Sequence, residues 1–136
     1  MNSPAVDIAS YLDGISSLAL TFATDLFVGK MPDEDASDID IACVFDPPGG
    51  TRDAKQDIRT PSVQVLVRGK RGGYQTGYAL IASIADELHG QNDLTISGAR
   101  YIHILQEGGG IMFLQFDEKK RPMFSVNFTM LRTPTS

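Results

Sequence analysis

The order of apolar patterns along the chain predicts an α+β fold: a twisted, mainly antiparallel β-sheet of about six strands with two helices packed on one side. Three observations carry this expectation. Two stretches with helical apolar spacing, near residues 4–13 and 73–88, are each followed by three strand-like runs. Two joints between runs, Glu107-Gly108-Gly109-Gly110 and Glu118-Lys119-Lys120-Arg121, have the composition of hairpin turns. A length of 136 residues, 42% apolar and 21% charged, suits a single domain over 1–136 whose core needs neither disulfide nor metal.

Taken in order, Ser3 caps and Pro4 opens a first helix running to about Asp13. Val6, Ala9 and Leu12 share one face with Ile8 and Ile15 flanking, and Gly14 ends the run. Leu18 to Val28 reads as a strand stopped by Gly29, and Ile39 to Phe45 as a second, closed by Pro47-Pro48-Gly49-Gly50. Residues 46–60 hold almost no apolar side chains and form a long loop. Two readings of that loop stand: a segment that orders against a partner, or a solvated connection. Val63, Val65 and Val67 then place one face of a third strand in the core, with Gln64, Leu66 and Arg68 opposite.

The second helix spans about Gly73 to Leu88, with Tyr74, Tyr78, Ile81, Ala82, Ala85 and Leu88 as the stripe that lies on the sheet, and Gly90 as its stop. Strands follow at Ala99 to Gln106, Ile111 to Asp117 and Met123 to Arg132. In the last, Phe124, Val126, Phe128 and Met130 point one way, while Ser125, Asn127, Thr129 and Leu131 face solvent or a partner subunit. No internal repeat is visible.

A net charge of −5 argues against a general nucleic-acid binder, which needs clustered Lys and Arg. The basic knot Arg68-Gly69-Lys70-Arg71, ahead of Gly72-Gly73 and a helix, lacks the full phosphate-loop pattern and reads as a solvated turn or an interface charge patch. His89 and His103 sit in no nucleophile or metal pattern, so no catalytic residue is assigned. Asp33, Glu34, Asp35, Asp38 and Asp40 miss the spacing of a calcium loop and read as a solvated acidic loop. Cys43, in Ile41-Ala42-Cys43-Val44-Phe45, is a buried thiol without a partner for an internal bridge. With no charged leader and no apolar run near the ~20 residues of a membrane span, the chain is expected to be soluble and made in the cytoplasm. No cofactor, metal or membrane is implied.

Several short segments, in shared order, resemble the phage minor capsid and tail terminator family. They are Val6-Asp7-Ile8-Ala9 with Leu12, Leu26-Phe27-Val28-Gly29 with Pro32, Pro61-Ser62-Val63-Gln64-Val65 with Val67-Arg68-Gly69, Tyr78 and Leu88, and Asp117, Arg121 and Ser125-Val126-Asn127-Phe128. The acidic loop 33–40 and the linker 46–60 match no part of the family pattern.

The resemblance implies a structural virion protein and not an enzyme: a hexameric ring that caps the tail tube, stops its polymerisation and offers a surface for head-tail joining. The implied partners are further copies of the chain, the tail tube protein, a head-completion or connector protein, and a sheath if the tail is contractile. DNA passes through the lumen only. The place of action would be the tail-neck junction of the virion, after assembly in the host cytoplasm. Candidate interface residues are Arg68, Lys70, Arg71, Lys119, Lys120 and Arg121 as positive patches, with Asp33, Glu34 and Asp35 as the acidic counterpart. Two other readings remain open: another head-tail connector or tail-completion protein, and a small divergent metal-dependent hydrolase or nuclease using the acidic cluster.

Overall fold

A computed structural model describes residues 2–32, 39–46 and 60–134. The elements run α1 (Pro4–Asp13), β1 (Leu26–Val28), β2 (Ile41–Phe45), β3 (Ser62–Arg68), α2 (Tyr74–Leu88), β4 (Gln91–Ile96), β5 (Ala99–Phe116) and β6 (Pro122–Pro134). The strands form one sheet in the order β1-β2-β3-β6-β5-β4. β1 pairs with β2 in parallel and every other neighbour is antiparallel. Helix α2 packs on β3, β5 and β6, while α1 touches β1, β2, β3 and also β4, so the sheet curls round the helical layer. This is the α+β architecture that the sequence predicts.

The core lies between helices and sheet. Val63, Val65 and Val67 of β3 and Phe124, Val126, Phe128 and Met130 of β6 are buried on the helix-facing side, as their alternation requires. Helix α1 starts as expected, with the Ser3 hydroxyl accepting from Val6 N and Pro4 in the first turn. Its Ala5 N–H donates to the Asp46 carboxylate at 2.8 Å. The buried face is Ala5, Ile8, Ala9 and Leu12 with Asp7, while Val6 is exposed. Asp7 is buried because it has partners: Tyr101 of β5 donates its hydroxyl to Oδ2 at 2.6 Å, and Arg132 of β6 stands 3.6 Å from the same oxygen.

Five other expectations change, the first being that Ser125, expected on the solvent or partner side of β6, is fully buried. The strand expected over Leu18 to Val28 shrinks to Leu26–Val28, because left-handed backbone at Ala19 and Ala23 breaks the segment into turns. Asp13 and Asp25 accept from the N–H groups of Phe22 and Thr21 there. Gln91–Ile96, whose only apolar residues are Leu94 and Ile96, is nevertheless a strand, joined to β5 through the tight turn Ser97-Gly98, both with positive φ. The glycine run Glu107 to Gly110 is not a hairpin turn. It is an irregularity inside the 18-residue β5, where the register against β6 shifts between Glu107 and Met112 and Gly108 and Gly110 take positive φ. Tyr74 and Tyr78, expected in the core stripe of α2, lie at the surface, and Gly77 and Ile84 are buried with Ile81, Ala85 and Leu88.

Candidate assembly surface

The hairpin joining β5 to β6 is built by one side chain. Asp117 Oδ1 accepts from the N–H groups of Lys119 at 3.0 Å and Arg121 at 2.9 Å, and its Oδ2 accepts from Arg121 Nε at 2.7 Å. Burial alone would raise the Asp117 pKa. The Arg121 N–H, the Arg121 guanidinium and the Lys119 N–H more than offset this and hold it below the usual carboxylate value. Lys120, with a left-handed φ, completes the turn.

The loop after β3 is locked onto the same end of the sheet. Gly69 donates its N–H to the Pro122 carbonyl at 2.8 Å, and a Cβ on it would stand 2.8 Å from Pro122 Cγ. The approach carries Arg71 to the hairpin, where its Nε donates to the Lys119 carbonyl at 3.2 Å. Two basic clusters far apart in sequence thus meet: Lys70, Arg71 and Lys120 are exposed and Lys119 is half-buried. The other two candidates face inward. Arg68 is buried and donates to the Pro32 carbonyl at 2.7 Å, and buried Arg121 is held by Asp117. Burial follows from their places in register, Arg68 between Ile41 and Met123, and Arg121 just before β6. Asp33, Glu34 and Asp35 lie outside the described residues, as does most of the loop 46–60.

Beside the basic cluster lies an aromatic patch that sequence reading missed. Tyr74 from α2 meets Phe113 and Phe116 from β5 and the buried Phe124, and Tyr78 meets Phe124, with ring centroids 5.1 to 6.4 Å apart. Phe116 is 52% exposed and Phe113 42%. Three residues apart on a regular strand, two side chains point to opposite faces. The register shift between Phe113 and Gln115 brings both rings to the helix side. Met112 and Leu114 are exposed as well, so this ribbon shows apolar groups on a large part of its surface. Its outer edge is also open: β4 covers β5 only as far as Ile104, and no described strand pairs with the stretch beyond on that side. Long exposed apolar edges are normally covered.

Among the described residues no three His, Cys, Asp or Glu side chains gather as a metal site requires, and no helix is long and apolar enough to cross a membrane. His89 Nδ1 accepts from Gln106 N at 2.9 Å, a link between the end of α2 and β5.

A family profile described as bacteriophage tail terminator protein matches residues 14–134. The chain belongs to the bacteriophage tail terminator family. This makes it a structural phage tail protein. Among solved structures, a chain in the virion of a native gene transfer agent particle has a similar fold, with TM-score 0.69 at 16% identity, covering 95% of this chain and 93% of that one. No curated protein matches. The helix of residues 4–13 lies ahead of the profile match, yet its Asp7 is tied to β5 and β6, so it is part of the same domain fold.

Proposed function

We propose that this tail terminator forms a ring of six copies that caps the tail tube, stops its polymerisation and presents a surface to the head-completion protein. The observation that carries this reading is the ribbon of β5 and β6, which leaves Met112, Phe113, Leu114 and Phe116 exposed beside an open sheet edge. Burying such a surface is what a subunit or tube contact does, and a family of structural tail proteins supplies that setting. The chain would act at the tail-neck junction after assembly in the host cytoplasm, meeting a sheath where the tail contracts. Six copies at −5 each make an acidic ring, and part of that charge facing the lumen would keep DNA from sticking as it passes.

Light scattering behind size-exclusion chromatography over a concentration series, followed by electron microscopy with added tail tubes, tests the reading. A hexamer, or a ring seated on tube ends, is expected. A chain that stays monomeric and ignores tube ends would point instead to another component of the head-tail neck. The loop of residues 46–60, on this reading, orders against the tube and times capping. Deleting Gly49 to Gln56 is then expected to give tails of abnormal length, and tails of normal length would sink that role.

A further inference from the structure

Register places five strand ends along one end of the sheet: Leu26 of β1, Ile41 of β2, Arg68 of β3, Pro122 of β6 and Phe116 of β5. At roughly 4.8 Å per strand, β1 and β5 stand about 19 Å apart there. The two sides differ in charge and shape. On the β5 side the exposed Phe116 ring lines a shallow apolar hollow with Arg71, Gly72 and Lys120. On the β1 side a groove of about 300 Å³ is lined by Leu18, Leu20, Ile39 and Leu80, with carboxylates from Asp25 and Asp40. Lys70 lines its inner wall, where its backbone N–H donates to Asp40 Oδ1 at 2.8 Å. Asp25 Oδ1 accepts from Thr21 N, and a carboxylate has capacity for a further cation. The same asymmetry runs through the chain: residues 1–46 hold one Lys and nine Asp or Glu, whereas residues 60–136 hold eight Lys or Arg and six Asp or Glu.

We propose that the exposed Phe116 ring with Arg71 and Lys120 packs against the groove of Leu18, Ile39, Asp25 and Asp40 on a second copy of this chain. The inference rests on the ring reading and assigns its contact. The Phe116 surface and the groove lie at the same end of the sheet, one towards β5 and the other towards β1, on either side of the loop that carries Lys70 and Arg71. Copies standing side by side in one orientation therefore bring each Phe116 surface to the next groove. This head-to-tail contact uses two different surfaces, and such contacts build a ring when the rotation between copies closes and an open filament when it does not. The apolar centre supplies affinity, and the lysine and arginine facing two carboxylates fix the register.

Cysteine pairing and one charge substitution test it. An equal mixture of Phe116→Cys and Ile39→Cys chains, oxidised free in solution and again on tail tubes, is expected to yield a covalent dimer, and the double variant a ladder. The native Cys43 thiol is fully buried and stays silent. Phe116→Glu is expected to weaken self-association roughly thirty-fold, as loss of a central contact does, while Val6→Glu, on the exposed side of α1, leaves the mass unchanged. If the chain assembles but no mixed cross-link forms and Phe116→Glu keeps the wild-type mass, this contact is wrong and the ring reading survives. If the wild-type chain neither self-associates nor caps tubes and no cross-link forms, both fall.

Discussion

Replacing Tyr101 by Phe probes how α1 is held to the sheet. The Tyr101 hydroxyl donates to Asp7 Oδ2 at 2.6 Å and accepts from Arg132 Nη1 at 3.3 Å, with all three side chains buried. Arg132 also donates to the Asn2 carbonyl at 2.8 Å, so the group ties the N-terminal turn to β5 and β6. Tyr101→Phe keeps the ring and deletes a hydrogen bond to a charged acceptor, a loss of about 2 kcal/mol. Asp7→Ala leaves a buried guanidinium uncompensated and costs about 3–5 kcal/mol. With an unfolding entropy near 2.1 cal/mol/K per residue, each kcal/mol moves the midpoint of this chain by about 3.5 °C. Calorimetry is therefore expected to show a Tm about 7 °C lower for Tyr101→Phe, and a drop of about 10–17 °C for Asp7→Ala. A Tyr101→Phe variant within about 0.5 kcal/mol of wild type, or an Asp7→Ala variant no worse than it, would refute the reasoning. The same site has an alkaline signature. Burial, and then the bond to Asp7, raises the Tyr101 pKa well above its usual 10.0. The unfolded phenol ionises first, so stability falls as pH rises past 10, and Tyr101→Phe removes that loss.

Other outcomes follow from the same geometry. Asp117→Asn is expected to speed amide exchange in residues 117–121 and to flatten its acid dependence. The lowered pKa of Asp117 means that its contribution is present above the ordinary carboxylate value of 3.8 and is lost as pH falls through the lower folded value. Gly69→Ala, whose Cβ would meet Pro122 Cγ at 2.8 Å and the Gly73 carbonyl at 2.9 Å, should cost about 1–3 kcal/mol in chemical denaturation; an unchanged midpoint would show that the loop gives way freely. Burial pushes the Cys43 thiol up to about 11 against the lowering pull of the Lys30 and Gly29 backbone, so a thiol reagent at neutral pH should react only as fast as the chain opens. Changing Asp33, Glu34 and Asp35 together to Lys should impair DNA ejection with rings intact, and unchanged infectivity would dispose of the acidic-lumen idea.

Where neighbours in sequence are neighbours in space, the pattern was legible. Ser3-Pro4 opens α1, the valines of β3 alternate into the core, and Glu118 to Arg121 makes a hairpin turn. The candidate surface was legible in part. Its basic residues stood out as two clusters, but that Arg71 meets Lys119 while Arg68 and Arg121 turn inward depends on Gly69 closing on Pro122. The aromatic patch was hidden for a similar reason: helical spacing assigns Tyr74 and Tyr78 to a core stripe, and strand spacing sends Phe113 and Phe116 to opposite faces. A bulge against β6 undoes the second rule and the position of α2 the first.

Composition and periodicity by themselves determined the α+β class, the two helices, and the apolar faces of β3 and β6, because local spacing decides which side of an element is apolar. The order of motifs also carried the family resemblance that the profile match bears out. Tertiary structure alone decided that the glycine run 108–110 lies within a strand, that Gln91–Ile96 pairs with β5, and that Asp7 is buried. Each of these turns on a partner distant in sequence. A strand with only two apolar residues, Leu94 and Ile96, is made by the strand beside it, and a carboxylate enters the core when Tyr101 and Arg132, some hundred residues on, arrive to meet it.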